Sequence, residues 1–201
     1  EQGDVAAAAV ELGKAADLGF DAAKVTPLLA RALVAKGEYP AVTGRFAGVK
    51  LPDAIAQAQL SVAMATAHLA QRQTDEGQAA LNEALSAVPN HAPALLLKAR
   101  MLADQQKVPE ARALLDQVLA ADPKSADAWM FKGELAVAVD KDRKAAVEAF
   151  RKAIEAQPGQ LAAHVAAVTA LFQENDTAGA TAQVAEMKKR FPNHPRTKFF
   201  E

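Results

Sequence analysis

The chain contains no cysteine, which removes disulfides, thiol nucleophiles and thiolate metal sites together and fits cytosol and periplasm alike. Aromatic residues make up only 5%, with one Trp and one Tyr, although 51% of the chain is hydrophobic by a broad count. Ala dominates that fraction, which suits close-packed helices better than sheets. Neither sign of charge is in excess: 23 Lys and Arg face 24 Asp and Glu, for a formal charge of -1. No global field therefore draws the chain to nucleic acid or to an anionic membrane. No run approaches the roughly 18 apolar residues needed to span a bilayer. The opening Glu1-Gln2-Gly3-Asp4 has no basic region, no apolar segment and no initiator Met, so it reads neither as a signal peptide nor as a translation start. The chain is expected to be a piece of a longer protein.

Proline is sparse but regularly placed. Pro89, Pro123, Pro158 and Pro192 are spaced 34, 35 and 34 residues apart. Three of them close similar words: Ala84-Leu85-Ser86-Ala87-Val88-Pro89, Val118-Leu119-Ala120-Ala121-Asp122-Pro123 and Ala153-Ile154-Glu155-Ala156-Gln157-Pro158. Proline fixes φ, donates no N–H and pushes the preceding residue out of the α region, so each word reads as a helix end. Gly3 and Gly37, also 34 apart, are read as preceding second helices and carry the period upstream.

A period of 34 is that of the tetratricopeptide repeat, and Trp129 to Pro158 resembles its pattern most fully. Trp129 and Gly133 fall on a first helix, then Ala146, Phe150, Ala153 and Pro158 on a second. Leu95, Ala99, Leu102, Ala111, Leu115 and Val118 fill the corresponding places in the preceding unit; His164, Leu171, Ala180, Val184 and Met187 do so in the following one, and Met64, Ala65, Leu81 and Ala84 lead to Pro89. The fold is expected to be all-α, a right-handed helix-turn-helix solenoid. Residues 1–20 are the second helix of a truncated unit, helical from about Asp4 to Asp17. Five units follow over 22–50, 53–89, 92–123, 126–158 and 160–192, with a short tail over 193–201. The predicted helices are 22–36, 38–49, 53–71, 75–87, 92–105, 108–121, 126–138, 142–156, 160–173 and 176–190. Pro40 and Pro109 fit first turns, where a missing N–H costs nothing, and Pro27 and Pro93 are read likewise. The extra residue of the fourth unit is expected in the turn Val139-Asp140-Lys141-Asp142, and the largest irregularity near residues 46–54.

One segment is more distinctive. Ala15-Ala16-Asp17-Leu18-Gly19-Phe20-Asp21, followed by Val25-Thr26-Pro27-Leu28-Leu29-Ala30-Arg31-Ala32-Leu33-Val34-Ala35-Lys36-Gly37-Glu38-Tyr39, resembles the N-terminal region of tetratricopeptide lipoproteins of the PEP-CTERM/exosortase system of Gram-negative bacteria. That resemblance implies an exported lipoprotein on the periplasmic side of the envelope, tethered by a lipidated cysteine upstream and working with protein sorting and exopolysaccharide production. No residue of the present sequence carries the anchor.

Individual side chains offer little chemistry. Trp129 occupies the signature place where a large ring fills the gap between paired helices, and is expected in the core with Phe150 and Leu115. Gly133 is read as permitting close helix approach, and no Gly-rich phosphate loop is present. His68, His91, His164 and His194 are too scattered for a metal signature. His91 and His194 both follow Pro-Asn and are read as inter-repeat turn residues. Asp140, Asp142, Glu174 and Asp176 flank turns, and Ser61, Ser86 and Ser125 lack any nucleophile context. No catalytic residue, cofactor or metal is assigned.

The tetratricopeptide resemblance implies that first helices line a concave face, so function is expected there. Its positions are Lys24 and Arg31; Gln59, Val62, Thr66 and Leu69; Leu96, Arg100 and Asp104; Asp127, Met130, Glu134 and Val137; Val165, Thr169 and Phe172. This surface is mixed, and the Lys and Asn array by which chaperone-binding relatives clamp an acidic C-terminus is missing. The expected partner is a protein or peptide laid in the groove. Two alternatives are self-association through apolar ends, including Phe199-Phe200, and a non-catalytic region of a larger enzyme.

Overall fold

The computed structural model describes residues 2–200, with side chains from Val5 to Phe200; Glu1 and Glu201, and the side chains of Gln2, Gly3 and Asp4, lie outside the described residues. All regular structure among the described residues is helical. The chain divides into two compact units, residues 1–101 and 102–201.

The first unit contains α1 (Gln2–Asp17), α2 (Ala22–Lys36), α3 (Tyr39–Arg45), α4 (Ala54–Ala70), α5 (Thr74–Ala87) and most of α6 (Ala92–Asp104). The second contains α7 (Val108–Ala121), α8 (Ala126–Leu135) with a π turn at Ala136–Asp140, α9 (Arg143–Ala156), α10 (Leu161–Gln173), α11 (Thr177–Arg190) and α12 (Pro195–Phe200). α1 begins at Gln2, so Gly3 lies inside its first turn rather than ahead of it.

Starts and stops have local causes. Asp21, Asp53, Asp142 and Asp176 each accept a backbone N–H of the first turn, at 3.0, 2.7, 3.0 and 2.8 Å, which satisfies a donor the helix cannot. Pro40 and Pro109 stand in first turns. Pro27 does not: it lies inside α2, where it removes the bond that Ala23 O would receive. Each first helix ends on a left-handed residue: Gly37 (φ 78°), Arg72 (62°), Gln106 (62°), Lys141 (57°) and Asn175 (60°). The next N–H then returns to the carbonyl five residues back, Glu38 to Leu33 and Gln73 to His68 at 2.9 Å, Lys107 to Leu102 at 2.8 Å and Asp176 to Leu171 at 3.0 Å. This closes the helix as a Schellman motif.

Asp142 is the exception, reaching six residues back to Ala136 O at 3.0 Å. The extra residue of this repeat is thus absorbed by the π turn, one turn earlier than expected. A wider i→i+5 ring accommodates it while leaving the left-handed stop and the cap of α9 in place.

The irregularity expected near residues 46–54 is present. α3 ends at Arg45 rather than near residue 49, and Gly48 adopts φ 71°. Buried Gln57 pins the linker by accepting Leu51 N–H at 2.7 Å and donating to Ser61 Oγ at 3.1 Å and Glu83 Oε1 at 3.0 Å. Lys50 pairs with the same Glu83 oxygen. At the other end, the expected tail is the helix α12.

Small residues set the packing. α4 is apolar on two sides: Ala56, Leu60, Ala63 and Ala67 join Leu29, Leu33, Val42 and Phe46, while Ala58 and Ala65 join Leu81, Ala84 and Ala94. In the second unit Val147, Phe150 and Ala153 pack with Met130, Ala163, Ala167 and Leu171. Each fully buried large apolar side chain contributes about 1.5–3 kcal/mol. A Cβ on Gly133 would lie 2.3 Å from Phe150 Cε1, and that ring is only 3% exposed, so the glycine is the space the phenylalanine occupies. Two repeats earlier the matching positions hold Ala65 and Leu81, both fully buried. Gly133→Ala should therefore cost about 1–3 kcal/mol through overpacking, and adding Phe150→Leu should recover most of it. Urea unfolding of both variants checks this, and a neutral Gly133→Ala refutes it.

Candidate functional site

In the first unit three consecutive first helices enclose a pocket of about 200 Å³. α2 contributes Pro27, Leu28, Arg31 and Val34; α4 contributes Gln59, Val62, Ala63 and Thr66; His91 and Pro93 come from the start of α6. The α2 and α4 residues recur at helical spacings of three and four, so each set forms one stripe along its helix. The floor is aliphatic and the rim polar. Thr66 Oγ1 donates to Val62 O at 2.9 Å, leaving its lone pairs free to accept. Arg31 is exposed and, among the described residues, makes no ion pair. His91 Nε2 is buried without a hydrogen-bond partner, and desolvation pushes the imidazole below its ordinary 6.5. No carboxylate lines the pocket, so it offers a binding surface rather than an acid–base pair.

Of the residues expected on the concave face, the pocket brings together Arg31, Gln59, Val62 and Thr66. Leu69 packs with Ala65 and Leu81 over Gly77, whose Cβ position lies 2.7 Å from Leu69 Cγ. Leu96 and Arg100 are half-buried on α6, and Lys24 and Asp104 are exposed. In the second unit Asp127 is exposed and accepts Gln160 Nε2 at 3.0 Å. Glu134 is half-buried, and Val137 packs from the π turn against the core. Met130 corrects the expectation: it is 8% exposed within the core shared with α10, because α8 is apolar on both sides. Val165 is half-buried, its carbonyl taken by exposed Thr169 at 2.9 Å, and Phe172, 47% exposed, stacks on Phe200 at 6.3 Å. His91 was missed as a lining residue because its Pro-Asn-His turn recurs at residues 192–194 and suggested a purely structural role.

Trp129 also corrects the expectation, being half-buried rather than core. Its Nε1–H donates to Pro123 O at 2.8 Å, with Lys152 Nζ 4.2 Å and Lys132 Nζ 5.3 Å from the ring centroid. His164 holds the same repeat position, 2% exposed: Nε2 bonds Pro158 O at 3.0 Å and Nδ1 meets Gln183 Nε2 at 2.9 Å. Those partners place the hydrogen on Nε2. The carboxylates considered for acid–base work are structurally occupied. Arg112 Nη2 reaches both oxygens of Asp140 at 2.5 and 2.6 Å, Asp142 and Asp176 cap helices, and Glu174 lies 3.9 Å from Arg143. Among the described residues no group of three His, Asp or Glu converges as a metal site, and no helix is long and apolar enough to cross a membrane.

Two family models, each described as the tetratricopeptide repeat, match residues 68–135 and 126–160. The chain carries tetratricopeptide repeats. Its fold is shared by PilF of Pseudomonas aeruginosa, with a TM-score of 0.65 at 15% identity over 89% of this chain and 81% of that one. A tetratricopeptide repeat protein from Parabacteroides merdae aligns at 0.60 and 16% identity over 98% and 78%. YrrB, described as a tetratricopeptide protein with an unusual peptide-binding site, aligns at 0.53 and 16% over 94% and 96%. No curated protein matches the chain by sequence.

Two measurements test these assignments. Trp129→Phe keeps a ring but loses the donor to Pro123 O, and should cost about 1 kcal/mol in chemical unfolding; no loss would remove that bond from the account. As pH falls through 6.5, His91 in the unfolded chain gains a proton that the folded chain resists, so stability declines from there downward. The melting temperature of His91→Gln should fall less over that window than that of the parent; parallel profiles refute the linkage.

Proposed function

We propose that the chain is a non-catalytic scaffold that binds a protein or peptide segment in the pocket formed by α2, α4 and α6. The observation that carries this reading is a concave, aliphatic-floored site whose rim presents exposed Gln59 and Arg31, the latter without an ion pair among the described residues. Such a surface accepts side chains of an extended or helical segment while its polar groups fix direction. YrrB, a protein of the same fold, is described as having a peptide-binding site, which supports the assignment by analogy.

The finer reading places the parent protein on the periplasmic side of a Gram-negative envelope. There it is a lipoprotein anchored upstream of this sequence, serving PEP-CTERM protein sorting and exopolysaccharide production. It is supported by the resemblance carried by Ala15 to Tyr39. Self-association is a second reading, favoured by the exposed aromatic cluster of Phe172, Phe199 and Phe200, in which Phe199 is 80% exposed.

Photo-reactive residues at Leu28 and Gln59, both exposed, test these readings by crosslinking mass spectrometry in cells expressing the parent protein. Capture of one sorting or polysaccharide-export component at both sites is expected, with none at an outward-facing control such as Asn82. Adducts to a second copy would transfer the assignment to self-association, and equal labelling at Asn82 would refute the pocket.

A further inference from the structure

The helices that build the pocket are set apart by the sign of their charges. α2 carries Lys24, Arg31 and Lys36 with no carboxylate, α4 carries no Asp, Glu, Lys or Arg, and α6 as far as Met101 carries Lys98 and Arg100 with no carboxylate. The carboxylates of this unit lie on α1 as Asp4, Glu11 and Asp17 and on α5 as Asp75, Glu76 and Glu83, or at helix ends outside the pocket as Asp21, Glu38 and Asp53. Over the whole chain the two signs nearly cancel, so this is segregation and not bias of composition. Lys24 lies 3.5 Å from Asp21 and Lys36 2.6 Å from Glu38, both with residues just outside the α2 span. Arg31, at the pocket itself, has no such partner among the described residues.

We infer that the pocket takes an apolar side chain of a partner segment in which Asp or Glu flanks that side chain, the carboxylate pairing with Arg31. This rests on the groove reading and specifies its ligand. The cavity of about 200 Å³ is below the roughly 300–1,000 Å³ of sites that enclose small molecules, so it seats one or two side chains. Leu28, Val34, Val62 and Ala63 give that anchor an aliphatic wall, and exposed Gln59 beside them offers the segment's backbone an amide donor and acceptor. Among the described residues Arg31 is the one Lys, Arg, Asp or Glu on the wall, and electrostatic complementarity of this kind selects partners more than it adds affinity. A nucleic acid would meet the same cation, but no Phe, Tyr or Trp lines the pocket for its bases to stack on. Nothing in this geometry requires a free C-terminus.

The test uses the full 201-residue chain and four fluorescent peptides capped at both ends, built from Asp and Leu, Lys and Leu, Ser and Leu, or Asp and Ser. In anisotropy titrations the Asp–Leu peptide should bind about tenfold tighter than the other three, with the advantage shrinking as salt rises. Arg31→Glu, at an exposed position, should abolish that preference and favour the Lys–Leu peptide. Leu28→Glu, which places a carboxylate one turn from Arg31, should weaken Asp–Leu binding without disturbing the core. Arg151→Glu, on α9, makes the same change of net charge as Arg31→Glu and should leave the preference intact. Equal affinity for the three Leu peptides would overturn the acidic preference while leaving the groove reading standing. Loss of preference in Arg151→Glu as well would reduce the effect to net charge and overturn the inference. If no peptide binds, the inference fails, and crosslinking at Leu28 and Gln59 judges the groove separately.

Discussion

Close approach of paired helices, made possible wherever one of them presents almost no side chain, is the constraint on which both units depend. Leu69 lies over Gly77, and Phe150 fills the space a Cβ on Gly133 would take, whereas Gly179 chiefly makes room for the Asp176 carboxylate that caps its own helix. Elsewhere alanine does the same work, as Ala58, Ala65, Ala84 and Ala94 do around Leu81. With so few aromatics, the core gains its apolar burial from many short contacts at high packing density. Exchanges of volume are then tolerated when made in pairs: Ala65 and Leu81 in one repeat, Gly133 and Phe150 in another.

The same constraint produces the pocket. A first helix with neighbours on both sides must be apolar on both, which is why α4 buries residues at nearly every second position from Ala56 to Ala67. Only a narrow stripe remains for other purposes, and Gln59, Val62 and Thr66 occupy it. Arg31 lines the same pocket from α2 and makes no ion pair among the described residues, and an exposed cation beside an aliphatic wall is a recognition element at small cost to the fold.

Helix positions were legible in the sequence because proline stops and a fixed period act locally. Most boundaries fell within one or two residues of expectation, and the linker after α3 was marked by Pro52-Asp53. The π turn was not legible, since an extra residue sits equally well in a loop or a widened helical turn until the bond from Asp142 to Ala136 chooses between them. The Gln57 network escaped because its partners, Leu51, Ser61 and Glu83, are brought together by packing rather than spacing. Of the candidate site, the stripe on α4 was partly readable, but Met130 was assigned to an open surface because helical position alone does not reveal a second packed side. His91 was hidden by a turn motif that recurs without a pocket beside it.

Trp129 and His164 show why a signature position predicts a bond better than it predicts burial. Both rings hand a nitrogen-bound hydrogen to a proline carbonyl six residues back, where the preceding helix has ended and that oxygen lacks a helical partner. Any ring with an N–H at the right reach satisfies it. What covers the ring is decided separately. His164 has a second nitrogen that needs a partner, and Gln183 supplies it, while Phe191 meets the ring edge-on at 5.5 Å; the imidazole is sealed as a result. Indole has no acceptor to satisfy, so Trp129 needs no second polar neighbour, and its exposed face is covered by Lys152, a contact worth about 0.5–1 kcal/mol at such a site. The closing bond between repeats is therefore kept with two different rings, and the degree of burial follows from how many hydrogen-bonding atoms each ring must satisfy.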